Sequence, residues 1–106
     1  MRGPEGERAV EAILDTGFDG WLSLPEALVR ILGLERVRSS RAALADGTEV
    51  DLDVYDAEVE WHGGWRRIAV DEADTDPLVG MRLLRGSSVC PDVTEGGHVE
   101  ILPLSE

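Results

Sequence analysis

Apolar and polar residues alternate over the middle of the chain with a period of two. In the segment 50–54 the apolar side chains are separated by acidic ones, a pattern typical of a strand with one buried face. The apolar run 42–45 precedes this strand, and the dipeptide Asp46-Gly47 that follows the run is typical of a tight turn. The pattern therefore predicts a β-hairpin that turns at Asp46 and Gly47.

A second hairpin is predicted directly after the first. Apolar residues over 57–61 alternate with the opposite phase, so we expect a bulge or bend near Tyr55 and Asp56. The segment 62–64 contains two glycines and separates this strand from an apolar-rich run over 65–70. The sequence therefore predicts a strand, a turn and a return strand.

One segment has helical periodicity instead. Apolar residues recur at intervals of three and four over 24–32, and Gly33 follows as a stop signal. Ser23 precedes the segment, and its combination with Pro25 and Glu26 is typical of a capping box at the start of a helix. The pattern predicts a helix over 24–32 with Ser23 as its N-cap.

The remaining segments complete a mainly β domain. Residues 1–8 hold turn-forming and charged residues with little to bury, which predicts a flexible or truncated N-terminus, and strand character begins at about Ala9. Residues 9–104 then form a single domain. Its later part has three predicted elements: an acidic loop over 71–76, a short helix over 81–85 and a final strand over 99–102. Two helical segments against several short strands predict the mainly β class.

Charge and cysteine content limit the expected partners and location. The chain of 106 residues carries a net charge of −12, and all of its Lys and Arg positions are arginines. Nucleic acids and anionic membranes are bound through basic surfaces, so we expect neither as a partner. Cys90 is the only cysteine and cannot form an internal disulfide, and the sequence has no long apolar stretch. These observations predict a cytoplasmic protein.

The strongest candidate for chemistry is Asp15, which directly follows the apolar run 10–14 and precedes Thr16 and Gly17. A carboxylate at the end of a buried strand suits the activation of water. Two carboxylates about 3 Å apart share one proton, so one can accept a proton from water while the other polarises an amide. The Thr16 hydroxyl can hold the loop by a hydrogen bond, and Gly17 allows another backbone to approach closely.

A second segment, Leu78-Val79-Gly80, precedes the short predicted helix. Together with Asp15-Thr16-Gly17 it resembles the retropepsin-like aspartic proteases, in which an Asp-Thr/Ser-Gly loop is followed by a hydrophobic-hydrophobic-Gly segment that leads into a helix. Within that clan, residues 14–22 look like the small prokaryotic group named for its Asp-Thr-Gly-Phe motif. The resemblance extends over most of the chain, roughly residues 9–104.

The resemblance implies a retropepsin-like half-barrel that forms a homodimer. It also implies a β-hairpin flap between the two motifs, which closes over bound peptide. The hairpin that turns at Asp46 and Gly47 occupies that position, with Ala45, Asp46 and Gly47 at its tip. Compared with the viral members, the helix over 24–32 is an addition.

A pair of carboxylates requires two aspartates, whereas the chain has one Asp-Thr-Gly motif. Asp19 lies in the turn dipeptide Asp19-Gly20, and we interpret it as structural because a shared proton needs a closer, fixed geometry. The segment 74–77 resembles the motif but lacks its glycine. The hypothesis is therefore a symmetric homodimer in which Asp15 of each subunit meets on the two-fold axis. Such a dimer would be an aspartic-type endopeptidase that hydrolyses extended peptides without a cofactor or metal.

Other residue types do not form a convincing site. His62 and His98 lie in separate glycine-containing turns with no cysteine or carboxylate at ligand spacing, so we interpret them as turn residues rather than metal ligands. The acidic segment 71–76 lacks the central glycine and terminal glutamate of a calcium loop. Cys90 has no activating neighbour in the sequence and is interpreted as an inert thiol.

Two rival interpretations stay open. In the first, the same fold is a non-catalytic peptide-binding or dimerisation module. Residues 1–6 support it, because they resemble a hairpin turn that the family places after a further strand, so either that strand is missing or the natural start lies upstream. In the second, the domain is an unrelated small β-barrel, and the Asp15 carboxyls of neighbouring subunits lie far apart.

Overall fold

The structure, a computed structural model, describes residues 1–43, 46–91, 94, 96–97 and 99–104, and these contain ten strands and two helices. The strands are β1 (Arg2–Gly3), β2 (Gly6–Glu7), β3 (Ile13–Leu14), β4 (Leu22–Leu24), β5 (Glu35–Ala43), β6 (Glu49–Trp61), β7 (Gly64–Glu72), β8 (Leu78–Val79), β9 (Ser87–Pro91) and β10 (Val99–Pro103). The helices are α1 (Glu26–Leu32) and α2 (Met81–Leu84). The predicted mainly β class is therefore confirmed. Neither of these two helices is long and apolar enough to cross a membrane.

The longest strand, β6, organises the main sheet. β7 pairs with it antiparallel over 54–61 along one edge, while β5 and then β1 pair along the other edge. The turn between β6 and β7 falls at His62 and Gly63, whose positive φ angles of 52° and 82° suit a tight hairpin turn. The second predicted hairpin is therefore confirmed.

The first predicted hairpin is formed by β5 and β6. Residues 35–43 pair with residues 49–56, and the predicted turn residues Asp46 and Gly47 lie between the strands. β5 begins at Glu35, well before the predicted strand. The apolar pattern missed this part because it is mostly polar and exposed, and its backbone pairing with β6 rather than burial makes it a strand.

A bulge was expected in β6, but it lies in β5. Arg36 pairs with Tyr55 and Arg38 pairs with Val54, so Val37 is an extra residue in β5. The bulge therefore lies opposite Tyr55, where it was predicted, but in β5 instead of β6.

The start of helix α1 also differs from the prediction. Ser23 is not its N-cap, because it belongs to β4, where it is buried and pairs with Asp71 and Leu78. Pro25 occupies the N-cap position without a side-chain cap bond. The predicted end of the helix is confirmed, since Gly33 has the left-handed φ of 63° and its amide bonds the Arg30 carbonyl oxygen.

The apolar core fixes the strands that carry the candidate site. β4 pairs parallel with β7 and antiparallel with β8, and β8 pairs parallel with β3. α1 contributes Val29 and Leu32 to the core, and α2 contributes Leu83 and Leu84. The strands contribute Leu22, Leu24, Ala57, Val59, Ile68, Val70 and Val79. Both helices therefore share one core with the strands that carry the candidate site.

The first residues form a small hairpin where a loop was expected. β1 pairs with β2 and, through Arg2 opposite Glu58, with β6, while Met1 packs against the core. The strand predicted from Ala9 is confined to β3, because β8 offers only two residues for pairing.

The last two strands form a separate two-stranded sheet, which we call the C-terminal ribbon (β9 and β10). The predicted final strand is confirmed as β10. β9 has no counterpart among the predicted elements, because its serines and cysteine give no clear alternation of apolar and polar residues.

Candidate active site

Asp15 lies at the carboxyl end of β3, where β8 holds it in place. The Ile13 amide donates a hydrogen bond of 2.8 Å to the Pro77 carbonyl oxygen, in the parallel pairing of the two strands. The Asp15 amide continues this ladder by donating a bond of 2.9 Å to the Val79 carbonyl oxygen. Two residues that the sequence nominated from distant motifs, Asp15 and Val79, are therefore hydrogen-bonded neighbours.

The residues after β3 form the aspartate loop (residues 15–20), which orients the Asp15 carboxylate. The Gly17 amide donates a bond of 2.9 Å to Oδ1 of Asp15, and the Phe18 amide donates one of 3.1 Å to the Asp15 carbonyl oxygen. The Thr16 side chain is exposed and makes no hydrogen bond to the residues described, so its expected role in holding the loop stays a prediction. The loop thus fixes one carboxylate oxygen through a backbone amide.

The aspartate loop crosses over Gly80. The Met81 amide donates a bond of 2.7 Å to the Phe18 carbonyl oxygen, and the Gly80 amide donates one of 3.1 Å to the Trp21 carbonyl oxygen. A β-carbon on Gly80 would collide with the Gly20 carbonyl oxygen, so the close crossing requires a glycine. The hydrophobic-hydrophobic-Gly segment and Met81 after it are therefore hydrogen-bonded to the aspartate loop and to Trp21, which follows the loop.

An open groove of about 580 Å³ borders the aspartate loop. The two strands of the β5–β6 hairpin form another of its walls. The lining comprises Asp15, Gly17, Phe18 and Asp19 from the loop, Ser40, Arg41, Ala43 and Leu52 from the hairpin, and Ser23, Asp71, Ala73, Thr75 and Leu78 from neighbouring segments. Asp15 therefore faces a groove that a hairpin borders, an arrangement that can accept an extended chain.

The hairpin contributes to the groove through its strands rather than through its predicted tip. Asp46 and Gly47 do not line the groove, and Ala45 lies outside the described residues. The tip is closed by Asp46 Oδ1, which accepts bonds from the Thr48 amide at 3.0 Å and the Thr48 hydroxyl at 2.6 Å. These bonds, that of the hydroxyl above all, lower the pKa of Asp46.

The groove is acidic. Asp19 and Asp71 line it together with Asp15. Burial raises the pKa of Asp71, and repulsion from Asp19 adds to this effect while Arg38 opposes it. The sequence analysis missed Asp71 because it assigned this residue to a solvated loop. Asp71 directly follows Val70 at the end of an alternating strand, and this position could have identified it as partly buried.

One basic side chain, Arg41, is among the groove-lining residues. It lies 3.2 Å from Glu49 and 3.5 Å from Asp51, both on the facing strand of its own hairpin. These contacts are exposed, so they contribute little to stability, but they direct the guanidinium toward the hairpin's own acids.

The other candidate residues stay apart from this site. Among the residues that the structure describes, no group of three or more His, Cys, Asp or Glu side chains could hold a metal ion. His62 Nε2 lies 2.8 Å from Ser87 Oγ and links the β6–β7 turn to the C-terminal ribbon. Cys90 is exposed on β9, and His98 lies outside the described residues.

Comparisons of the chain with protein-family models, with curated proteins and with solved structures found no match. The function is therefore inferred from the geometry of this chain alone. Its most specific element is the aspartate loop, hydrogen-bonded to the segment 78–80 and open to the groove.

Proposed function

We propose that the chain is an aspartic-type endopeptidase that acts as a homodimer. One observation carries this proposal: Asp15 is held by the Val79 carbonyl oxygen and the Gly17 amide at the edge of a groove that the β5–β6 hairpin borders. A carboxylate fixed in this way, beside a groove open to an extended chain, supplies one half of the carboxyl pair that the proposed hydrolysis needs.

In the proposed reaction, Asp15 of each subunit contributes one carboxyl group, and the pair holds one proton. The ionised carboxyl accepts a proton from water as the water oxygen attacks the peptide carbonyl carbon. The protonated carboxyl donates its proton to the carbonyl oxygen, which gives a neutral tetrahedral intermediate. As this intermediate collapses and the C–N bond breaks, the protonated carboxyl donates its proton to the departing amine. The other carboxyl takes a proton from one hydroxyl of the intermediate, which becomes the new carbonyl, so the pair again holds one proton.

The proposed substrate is a peptide in the extended conformation. An extended segment offers backbone amides and carbonyls on both of its edges, and residues of a strand hairpin and of the aspartate loop border the groove. The β5–β6 hairpin is the proposed flap, with the directly opposite residues Ser40 and Leu52 as those that face the peptide.

The test compares Asp15→Asn with the matched control Asp74→Asn, which changes an exposed aspartate outside the groove. Casein and a peptide library are incubated with each protein, with and without pepstatin, at acid and alkaline pH. We expect hydrolysis to fall at least about 100-fold in Asp15→Asn, to persist in the control and to decrease at alkaline pH, where both carboxyls are ionised. Unchanged turnover by Asp15→Asn would refute the proposal, and capture of peptides without cleavage would favour the peptide-binding module instead.

A further inference from the structure

Ser23 is the one buried residue with a polar side chain among those that the structure describes, with an exposed fraction of 4 %. Leu22 and Leu24 on either side of it belong to the apolar core. Because the side chains of a strand alternate between the two faces of a sheet, the Ser23 side chain points away from this core, and it lines the groove that Asp15 borders. Ser23 is therefore a polar group at the bottom of the groove.

The Ser23 hydroxyl is open to a ligand. It makes no hydrogen bond to the residues that the structure describes. The same residues contain no side-chain nitrogen or oxygen that is both closed off from solvent and without a hydrogen-bond partner. The hydroxyl oxygen of this otherwise buried residue is therefore reachable from the groove.

Asp71 lies directly beside Ser23. The two residues are register partners in the parallel pairing of β4 with β7, so their side chains lie on the same face of the sheet. On its other side Asp71 pairs with Val54, which is apolar and fully buried. A β-carbon on Gly20 would lie 3.4 Å from Asp71 Oδ2, which places this carboxylate against the aspartate loop. The bottom of the groove thus presents a carboxylate and a hydroxyl side by side.

The Asp71 carboxylate has no counter-charge in contact with it. It forms no ion pair within the described part of the chain, although Arg38 is near enough to oppose the rise in its pKa. Arg41, the one basic residue among the described groove-lining residues, is ion-paired within its own hairpin. A half-buried charge without a partner lowers stability, and a cation that enters the groove would relieve this cost.

We propose that Ser23 and Asp71 form a subsite that binds the cationic side chain of an extended peptide, arginine or lysine. The inference rests on the proposed function, because it names the substrate class of the same groove. In this subsite the Asp71 carboxylate accepts hydrogen bonds from the guanidinium or ammonium group, and the Ser23 hydroxyl oxygen accepts a further one. Asp19 adds negative charge nearby. A neutral side chain leaves Asp71 without a counter-charge and an acidic one is repelled, so the groove selects basic peptides.

The first test measures binding separately from cleavage. Every protein carries Asp15→Asn, so that the peptides stay intact. The probes are dansyl-labelled octapeptides of alanine and threonine with one arginine, placed at each position in turn, and matched peptides in which citrulline replaces the arginine. Citrulline has the shape of arginine without its charge. We expect the arginine peptide that binds best to bind at least about tenfold more tightly than its citrulline counterpart, with a smaller ratio at high salt.

Three further substitutions assign this preference to the subsite. Asp71→Asn keeps the shape of the side chain and removes its charge, so we expect the ratio of arginine to citrulline binding to fall close to one. Ser23→Ala removes the hydroxyl and is expected to weaken binding of the arginine peptide about threefold. Asp74→Asn changes an exposed aspartate outside the groove and should alter neither value. Circular dichroism establishes that each variant is folded, and Asp71→Asn removes a half-buried charge rather than adding one.

The second test uses the chain with Asp15 intact. A peptide library is digested and the products are identified by mass spectrometry. We expect arginine and lysine to be enriched at a fixed distance from the cleaved bond, and we expect Asp71→Asn to lose this enrichment while it still cleaves.

The outcomes separate this proposal from the proposed function. Equal binding of arginine and citrulline peptides, or a preference that Asp71→Asn retains, would overturn the subsite even if the protein hydrolyses peptides. A preference for arginine that depends on Asp71, without cleavage of any peptide, would support the subsite and count against the endopeptidase. Cleavage without enrichment of basic residues would support the endopeptidase and overturn the subsite. A chain that neither binds nor cleaves these peptides would overturn both.

Discussion

The carbonyl oxygen of Gly20 lies against the α-carbon of Gly80, so closely that a β-carbon on Gly80 would collide with it. The same β-carbon would stand 2.7 Å from the Phe18 ring. We therefore expect Gly80→Ala to lower the free energy of unfolding by about 1–3 kcal/mol, because the aspartate loop must shift to admit a methyl group. Urea denaturation measures the loss. The control is Gly64→Ala, where a β-carbon meets nothing within 4 Å. Equal stability of the two variants would contradict the close approach of Gly20 and Gly80.

Arg2 connects the β1–β2 hairpin to strand β6 of the main sheet through its side chain. Its guanidinium donates two bonds to the Glu58 carboxylate, at 3.3 and 3.2 Å, and lies 4.0 Å from the centre of the Trp65 ring. We expect Arg2→Ala to lower the Tm by a few degrees at neutral pH, whereas Arg85→Ala, which removes an exposed arginine, should change it little.

The effect of Arg2→Ala should also depend on pH. The bond to Arg2 lowers the pKa of Glu58, so this contribution to stability is present above the ordinary glutamate pKa and is lost as the pH falls through the lowered value. Thermal melts at neutral and acid pH are expected to show the gap between variant and wild type narrowing in acid. A gap that widened in acid would contradict the role assigned to the Arg2–Glu58 pair.

Sequence patterns predicted the elements in which apolar residues alternate with polar ones or recur at helical spacing. The two hairpins were predicted from alternating apolar and polar residues, the end of α1 from the stop signal Gly33, and strand β10 from the apolar residues near the end of the chain. The polar half of β5 and the strand β9 were missed, since backbone pairing creates them and leaves no apolar pattern. Ser23 was misassigned because a local capping signal competed with burial in β4, and burial prevailed.

The candidate site could be predicted only in part, for a similar reason. Asp15 and the segment 78–80 were nominated from short motifs, and the structure makes them neighbours through the parallel pairing of β3 and β8. The groove-lining residues Ser40 and Asp71 belong to strands that meet only through the register of the sheet. The repeat of apolar residues along one strand does not show which residues of a distant strand lie beside it.

The turn of the β5–β6 hairpin provides a titration test. Because bonds from Thr48 lower the pKa of Asp46, those bonds should persist to a lower pH than an ordinary aspartate allows. We expect the amide proton resonance of Thr48 to shift with a midpoint below the usual aspartate range. The measurement is a pH series of proton–nitrogen correlation spectra, with Asp46→Ala as the control in which this step disappears. A midpoint at or above the ordinary value would show that the turn is open in solution.

Asp71 should make the fold more stable in mild acid than at neutral pH. Burial raises its pKa, so between the ordinary aspartate value and the raised value the folded chain binds a proton that the unfolded chain does not. Stability from this group is therefore present below that window and decreases as the pH rises through it. Asp71→Asn removes the buried charge and should raise the Tm slightly at neutral pH, with a smaller difference in acid, whereas Asp74→Asn should do neither. Thermal melts across pH measure both variants, and a lower Tm for Asp71→Asn at neutral pH would mean that attraction to Arg38 outweighs burial and the repulsion from Asp19.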